Sequence, residues 1–232
     1  MTNFEGIKAI TFDLDGTLWD FDEVMRSSVA LALVELAEHD PIAASRLDVD
    51  RIISVRDRIA NELKTSVISL EKVRLEGFKQ ALRDVDRPND DLAEHINKTY
   101  LHHRYSNIVP FADVEPALTA LRRCFKVGAL TNGNSYPKRV GMGHLFDFAV
   151  LASEHGISKP DPRIFHVAVE MAECRPSELL HVGDDLGDDI EGASAAGVQS
   201  VWVNRSGNRA PLSCAPEFQI TDLSTLVDWL IE

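Results

Sequence analysis

The sequence predicts an α/β fold: a doubly wound parallel sheet with an all-helical domain inserted after its first strand. Three observations carry that prediction. From Ile108 onward short apolar runs alternate with helical patterns, which implies right-handed crossovers and a parallel sheet with helices on both faces. Residues 19–107 hold almost no strand-like run and place their apolar residues at helical spacing instead. The run 7–12, near the N-terminus, reads as a strand with no strand beside it in sequence, so it must join the distant sheet.

Taken in order, Ile7–Phe12 is short, nearly continuously apolar and closed by a turn signal, as a buried strand is. Four helical faces follow. They are Val29-Ala30-Leu33-Val34-Leu36-Ala37, Ile52-Ile53-Val55-Ile59-Leu63, Val73-Leu75-Phe78-Ala81-Leu82 and Leu92-Ile96-Tyr100, punctuated by Pro41 and Pro88. About four helices in a small bundle are expected. Pro110 and Pro116 bracket a turn into a helix over 114–123, and 125–130 is a strand ending at Thr131-Asn132-Gly133. A short helix near 137–143, a strand over 148–151 and a helix from Pro162 to Ala172 come next, the proline suiting the first helical turn. Residues 179–182 form a strand ending at Gly183-Asp184-Asp185. Residues 188–196 form a helix stopped by Gly197. Strands over 198–203 and 218–220 and a helix over 224–231 close the chain. The helical block leaves near 16–20 and returns near 107–111, and two short tethers of this kind suit a hinge.

At 232 residues and 44% hydrophobic, the chain is globular and long enough for a core domain with a smaller companion. A net charge of −13 disfavours nucleic-acid and anionic-membrane partners, which need a basic surface. The three cysteines, Cys124, Cys174 and Cys214, are scattered and odd in number, which argues against a disulfide framework or a zinc site and fits a reducing compartment. Neither a signal-peptide pattern nor an apolar run of spanning length is present. A cytoplasmic location is expected.

Ligands of open α/β sheets bind beyond the carboxyl ends of the strands, and the unusual residues sit there. Asp13 and Asp15 follow the first strand one residue apart, a like-charge pair that is costly unless a cation or proton relieves it. Solvated acids in an Asx turn are the plain structural alternative. Thr131, Asn132 and Gly133 end the second strand. Asp184 and Asp185, with Asp188 and Asp189 beyond, end another, and Lys159-Pro160 follows the strand between them. Clustered carboxylates with one lysine suit a hard cation such as Mg²⁺. An aspartate carboxylate whose charge a bound metal offsets can attack phosphorus, and a second carboxylate can pass protons to the leaving oxygen and from water. A lysine, a hydroxyl and backbone amides supply the positioning and charge neutralisation that phosphoryl transfer needs.

On Asp13-Leu14-Asp15-Gly16-Thr17, Thr131-Asn132-Gly133, Lys159-Pro160 and Gly183-Asp184-Asp185-Leu186-Gly187-Asp188-Asp189, followed by Gly192-Ala193 and Ala196-Gly197, the chain resembles the haloacid dehalogenase-like hydrolase superfamily over its whole length. The resemblance implies a Rossmann-like catalytic core over 1–17 and 109–232 and a helical cap over 18–108. It implies Asp13 as nucleophile and Asp15 as general acid/base. Thr131, with Asn132 and Gly133, would bind phosphate, and Lys159 would hold phosphate and Asp13. Asp184, the Asp13 side chain and the Asp15 backbone carbonyl would hold Mg²⁺. The second acid of the metal site falls on Asp189 or Asp188, since relatives use either spacing; the Ile-Glu-Gly-Ala string that follows favours Asp189. The name-giving dehalogenases resemble this chain but lack the second aspartate of the first motif and use no metal, so Asp15 points to a phosphatase of a small phosphorylated metabolite.

A 2-haloacid dehalogenase and a phosphotransferase or mutase of the same fold remain the alternatives. Asn132-Gly133-Asn134 and His181-Val182-Gly183-Asp184-Asp185-Leu186 are similar to phosphatases acting on flavin mononucleotide and on the ribitylaminouracil phosphate of riboflavin synthesis. Relatives also act on nucleotides, sugar phosphates and phosphoglycolate. Trp19 either lines the substrate entrance or packs at the hinge. Arg74 is a candidate substrate contact from the cap, against a stronger expectation of a solvent-facing or helix-pairing role. His95, His102 and His103 read as surface residues, and His181 as packing within its strand.

Overall fold

The structure, a computed structural model, describes residues 4–62, 70–207 and 216–231. Leu63, which ends one expected helical face, and Cys214 lie outside the described residues. The chain divides into two compact units, residues 1–20 with 109–232 and residues 21–108.

In the first unit six strands form one sheet: β1 (Ala9–Phe12), β2 (Lys126–Thr131), β3 (Phe148–Leu151), β4 (Leu179–Gly183), β5 (Gln199–Val203) and β6 (Gln219–Ile220). Their order is β3-β2-β1-β4-β5-β6 and every pairing is parallel. β1 is central, with Ala9 opposite Lys126 on one side and Leu179 on the other. Successive strands are added outward from β1 in one sense (β1, β2, β3) and outward from β4 in the other (β4, β5, β6), which makes the carboxyl ends of β1 and β4 a topological switch point. Ala9, Leu130, Val150 and Leu179 share an apolar cluster with Ile164, Phe165 and Ala168 from the helix over 162–172. Alternation sends Ile10 and Phe12 to the opposite face, and both are fully buried. Apolar cover on both faces is what lets a parallel sheet carry almost continuous hydrophobic strands.

The second unit is helical among its described residues: α1 (Phe21–His39), α2 (Pro41–Ala44), α3 (Val49–Glu62), α4 (Leu70–Arg83) and α5 (Asp90–Ser106). The one-turn α2 adds to the four helices expected. It starts because Pro41 has no N–H to lose and Asp40 accepts from the Ala43 N–H at 3.0 Å. Val29, Leu36, Ile52, Val55, Ile59, Phe78, Ile96 and Tyr100 share one core. On α1 the expected face is corrected. Val34 is 61% exposed while Met25 and Ala32 are buried, because the stripe runs Met25-Val29-Ala32-Leu36 at helical spacing.

The sheet unit adds α6 (Val114–Leu121), α7 (Ala152–His155), α8 (Pro162–Ala172), α9 (Gly192–Ala195) and α10 (Leu223–Ile231). The helix expected near 137–143 is absent. Turns occupy the segment and a 3₁₀ turn follows at Gly143–Leu145, since Pro137, Gly141 and Gly143 leave too little helix propensity. The helix expected over 188–196 begins earlier, as a π-helical turn over Leu186–Glu191. The Asp185 carboxylate accepts from the Gly187 and Asp188 N–H groups at 2.8 and 2.7 Å and so caps that wide turn. Wide turns of this type concentrate at functional sites. Among the described residues no helix is long and apolar enough to cross a membrane.

Candidate active site

The carboxyl ends of β1, β2 and β4, with the loop before α8, bring the charged residues together. Asp13 leaves β1 with its N–H donated to the Val182 carbonyl at 2.9 Å, which ties the start of the loop to β4. The chain then turns back on itself, as the Gly16 N–H donates to the Trp19 carbonyl at 3.0 Å. Gly16 sits at φ +98°, and a Cβ there would collide with the Asp184 carboxylate; only glycine meets both demands. The turn carries the Trp19 indole to Asp15, whose Oδ1 accepts from Nε1 at 2.9 Å. Trp19 is fully buried. The Ser135 hydroxyl also donates to Asp15 Oδ1, at 3.3 Å.

Lys159 is 3% exposed and joins two aspartates: Nζ lies 2.6 Å from Asp13 Oδ1 and 2.5 Å from Asp189 Oδ1. Asp189 Oδ1 also meets His181 Nε2 at 3.0 Å, and its Oδ2 accepts from the Asp185 N–H at 3.0 Å. Asp184 Oδ1 accepts from the Thr17 hydroxyl at 2.8 Å, and the Asp184 carbonyl accepts from the Trp202 indole at 2.7 Å. Asn132 fixes the lysine loop through its amide, accepting from the Lys159 N–H at 2.8 Å and donating to the Lys159 carbonyl at 2.9 Å. The same amide nitrogen donates to Asp188 Oδ2 at 2.9 Å. Thr131 Oγ1 accepts from the Gly133 N–H at 2.9 Å.

Three carboxylates, Asp13, Asp184 and Asp189, hold oxygens within 4.8 Å of one another. One ammonium among three carboxylates leaves the group short of positive charge. Burial, helped by the Asp189 and Asp184 charges, raises Asp13 well above the usual carboxylate range despite Lys159. Burial and Asp189 push Asp184 up to about 6. Burial opposes ionisation of Asp189 too, but Lys159 and then His181 override it and hold that carboxyl low. Lys159 stays charged: burial works against it, and Asp13 and Asp189 more than compensate. Burial keeps His181 below its ordinary value, against the pull of Asp189. A hard divalent cation fits this donor set, since it would relieve the raised carboxyls of Asp13 and Asp184 and accept oxygen ligands only.

Of the residues singled out from the sequence, Asp13, Asp15, Thr131, Asn132, Gly133, Lys159, Asp184, Asp188 and Asp189 all belong to this one end of the sheet. Asp189 lies in the carboxylate group and Asp188 pairs with Asn132. Arg74 belongs to the helical unit, half-buried on α4, where it lines a small apolar cavity with Met25, Ile52, Phe78 and Tyr100. Four contributors had no role assigned from the sequence. Thr17 was within reach, being part of the first motif, and Ser135 lies two residues beyond Gly133. His181 lies in β4 as expected, but its contact with Asp189 depends on the wide turn after the strand. Trp202 reaches Asp184 from the neighbouring strand β5, a pairing that leaves no local signal.

A family model for haloacid dehalogenase-like hydrolases matches residues 7–197. The 5-amino-6-(5-phospho-D-ribitylamino)uracil phosphatase YigB of Escherichia coli is 29% identical over 199 residues, covering 85% of this chain and 83% of its own. The glyceraldehyde 3-phosphate phosphatase of Methanopyrus kandleri is 30% identical over 206 residues, 86% of this chain and 84% of its own. Among solved structures, a 2-haloacid dehalogenase from Pseudomonas syringae superposes with a TM-score of 0.81 at 34% identity, covering 97% of this chain and 98% of that one.

Proposed function

The chain belongs to the haloacid dehalogenase-like hydrolase family, and from that premise we propose that it is a divalent-metal-dependent phosphatase of a small phosphorylated metabolite. The observation that carries the reading is Asp15. It stands two residues beyond Asp13 and is held by the Trp19 indole at 2.9 Å. The family resemblance read from the sequence sets the metal-free dehalogenases apart by their lack of this aspartate, and a phosphate ester needs the proton it supplies.

Asp13 attacks the substrate phosphorus. As the new oxygen–phosphorus bond forms, the bond to the ester oxygen breaks, and Asp15 gives that oxygen its proton. Asp15 then takes a proton from water, which attacks the aspartyl-phosphate at phosphorus, releases phosphate and restores Asp13. Lys159 neutralises charge on Asp13 and on the phosphoryl oxygens, and Thr131 with the amides of the 131–133 turn orients them. Asn132 acts on the lysine: its paired hydrogen bonds with the Lys159 main chain fix where Nζ emerges. Asp13, Asp184 and the Asp15 backbone carbonyl would hold Mg²⁺, with Asp189 as the supporting acid. When bound, the cation offsets the charge of the carboxylates and the phosphoryl group. The helical unit serves as the cap that selects the substrate, and its half-buried Arg74 is the candidate contact for a negative or aromatic group. Likeness to the ribitylaminouracil phosphatase of E. coli supports a riboflavin-precursor phosphate as substrate, and likeness to the glyceraldehyde 3-phosphate phosphatase of Methanopyrus kandleri supports a sugar phosphate; flavin mononucleotide and nucleotides are the other candidates.

A second reading, hydrolysis of a 2-haloacid, is favoured by the 34% identity with the solved dehalogenase. Incubation with an aryl phosphate and Mg²⁺ separates the two. The phosphatase releases phosphate, stops in excess chelator and is inactive as Asp13→Asn. Halide release that persists in chelator, with no phosphate release, overturns the proposal. Turnover of a sugar phosphate without free phosphate would instead identify a transferase.

A further inference from the structure

Away from the aspartate cluster, the helical unit carries a second convergence of ligand-type side chains. Glu35 and His39 stand four residues apart on α1 and therefore share a face. His95 reaches the same place from α5. Both imidazole Nε2 atoms point at one carboxylate oxygen, Glu35 Oε1, at 3.2 Å from His39 and 2.6 Å from His95. The two rings meet edge to face with centroids 4.8 Å apart. One nitrogen from each ring and a carboxylate oxygen lie within 4.8 Å of one another. Ligand atoms about 2.0–2.2 Å from a tetrahedral ion are roughly 3.4 Å apart, so small side-chain rotations would admit an ion among these three. The side chains are 49% (His39), 48% (His95) and 30% (Glu35) exposed, which leaves access to solvent and room for a water as a further ligand.

We propose that Glu35, His39 and His95 form a transition-metal site, distinct from the aspartate cluster, which takes Zn²⁺ or Cu²⁺ and clamps α1 to α5. Two imidazoles and a carboxylate select borderline cations and reject Mg²⁺ and Ca²⁺, which prefer all-oxygen shells. The two helices are separate in sequence, so one ion bound to both ties Glu35 and His39 to a segment more than fifty residues away. Because the ion binds the folded protein, it stabilises the helical unit by mass action. Nothing in this inference depends on the hydrolase reading.

The test uses untagged full-length protein with Mg²⁺ in large excess. Zn²⁺ is titrated calorimetrically into wild type and into the His39→Ala/His95→Ala variant, whose substituted side chains are half-exposed. Glu35→Gln serves as a milder second variant. Wild type should bind one more equivalent of Zn²⁺ than the double variant, and Glu35→Gln should weaken that equivalent by about tenfold or more. Cu²⁺ spectra of the wild type should carry nitrogen hyperfine from two imidazoles, absent from the double variant. Zn²⁺ should raise the melting temperature of wild type only. Equal stoichiometry in wild type and double variant, or unchanged Cu²⁺ spectra, overturns the proposal.

Discussion

His181 and Asp189 meet inside the sheet unit, Nε2 to Oδ1 at 3.0 Å, with the imidazole wholly buried. The other ring nitrogen lies 2.9 Å from the Thr11 hydroxyl. A histidine placed in a strand for packing therefore also fixes the carboxylate that receives Lys159. Replacing it with phenylalanine keeps the shape and removes both polar contacts. His181→Phe should cost about 1–3 kcal/mol in denaturant unfolding at neutral pH. The pH dependence adds a sign. Burial depresses the folded value of His181 below its ordinary 6.5, so its contribution is complete above that value and is lost as pH falls through the depressed one. The deficit of the variant should therefore shrink on mild acidification, and a deficit that grows would sink the assignment.

On the proposed mechanism, Trp19 acts on the chemistry through Asp15, which accepts from its indole. Trp19→Phe removes the 2.9 Å donor without opening a large cavity, and Asp15→Asn removes the proton itself. Alkyl phosphates, with poor leaving oxygens, should lose about 10²–10⁴-fold in kcat with Asp15→Asn. Trp19→Phe should show a milder loss of the same kind. Aryl phosphates, whose leaving groups need less protonation, should lose far less in both. Equal losses on the two substrate classes would show that Asp15 is not the acid.

Asp184 should be a liability without metal. Its folded value is raised to about 6 from 3.8. A raised carboxyl favours folding below its unfolded value, and that contribution disappears as pH rises through the folded one. In chelator at neutral pH, Asp184→Asn should therefore raise stability by about 2 kcal/mol, allowing for partial exposure. Below about pH 4 the variant should match wild type. Adding Mg²⁺ should reverse the order, because only wild type gains from binding. Melting curves with and without chelator across this range would check it.

Gly16 is constrained twice, by its φ of +98° and by the Asp184 carboxylate, which occupies the place an added Cβ would take. Gly16→Ala should destabilise the protein by roughly 1–3 kcal/mol from backbone strain alone. It should also weaken Mg²⁺ binding by displacing Asp184, measurable as a higher Mg²⁺ requirement for turnover. Gly6→Ala is the control, since it too has a positive φ but an added Cβ there meets no neighbour; it should leave the Mg²⁺ requirement unchanged.

Much of the architecture was legible because the two periodicities seldom conflict. β1, β2, β3 and β4 are short apolar runs closed by turn residues, and the structure places them within a residue or two of expectation. The segment 137–143 departs from the expected helix because a proline and two glycines leave it too little helix propensity. On α1 the expected face ran through Leu33 and Val34, whereas the buried one runs through Met25, Val29, Ala32 and Leu36, which share one side of the helix. At the carboxyl ends of the strands, residue type and position were enough to collect Asp13, Asp15, Thr131, Lys159, Asp184 and the 188–189 pair.

The sequence by itself determined the α/β class, the helical insertion and the set of acids with its single lysine. Those properties follow from periodicity and from charge placed at strand ends, both of which are local. Which partner each acid takes was decided only by the tertiary structure. Asp188 and Asp189 are adjacent and identical in type, yet the π-helical turn sends one to Asn132 and the other to Lys159 and His181. The same is true of Trp19, which the chain reversal at Gly16 turns onto Asp15, and of Trp202, brought to Asp184 from a neighbouring strand. Such contacts join residues that the chain separates or that a single turn redirects. They exist only once the strands have fixed their register and the charges have been buried together.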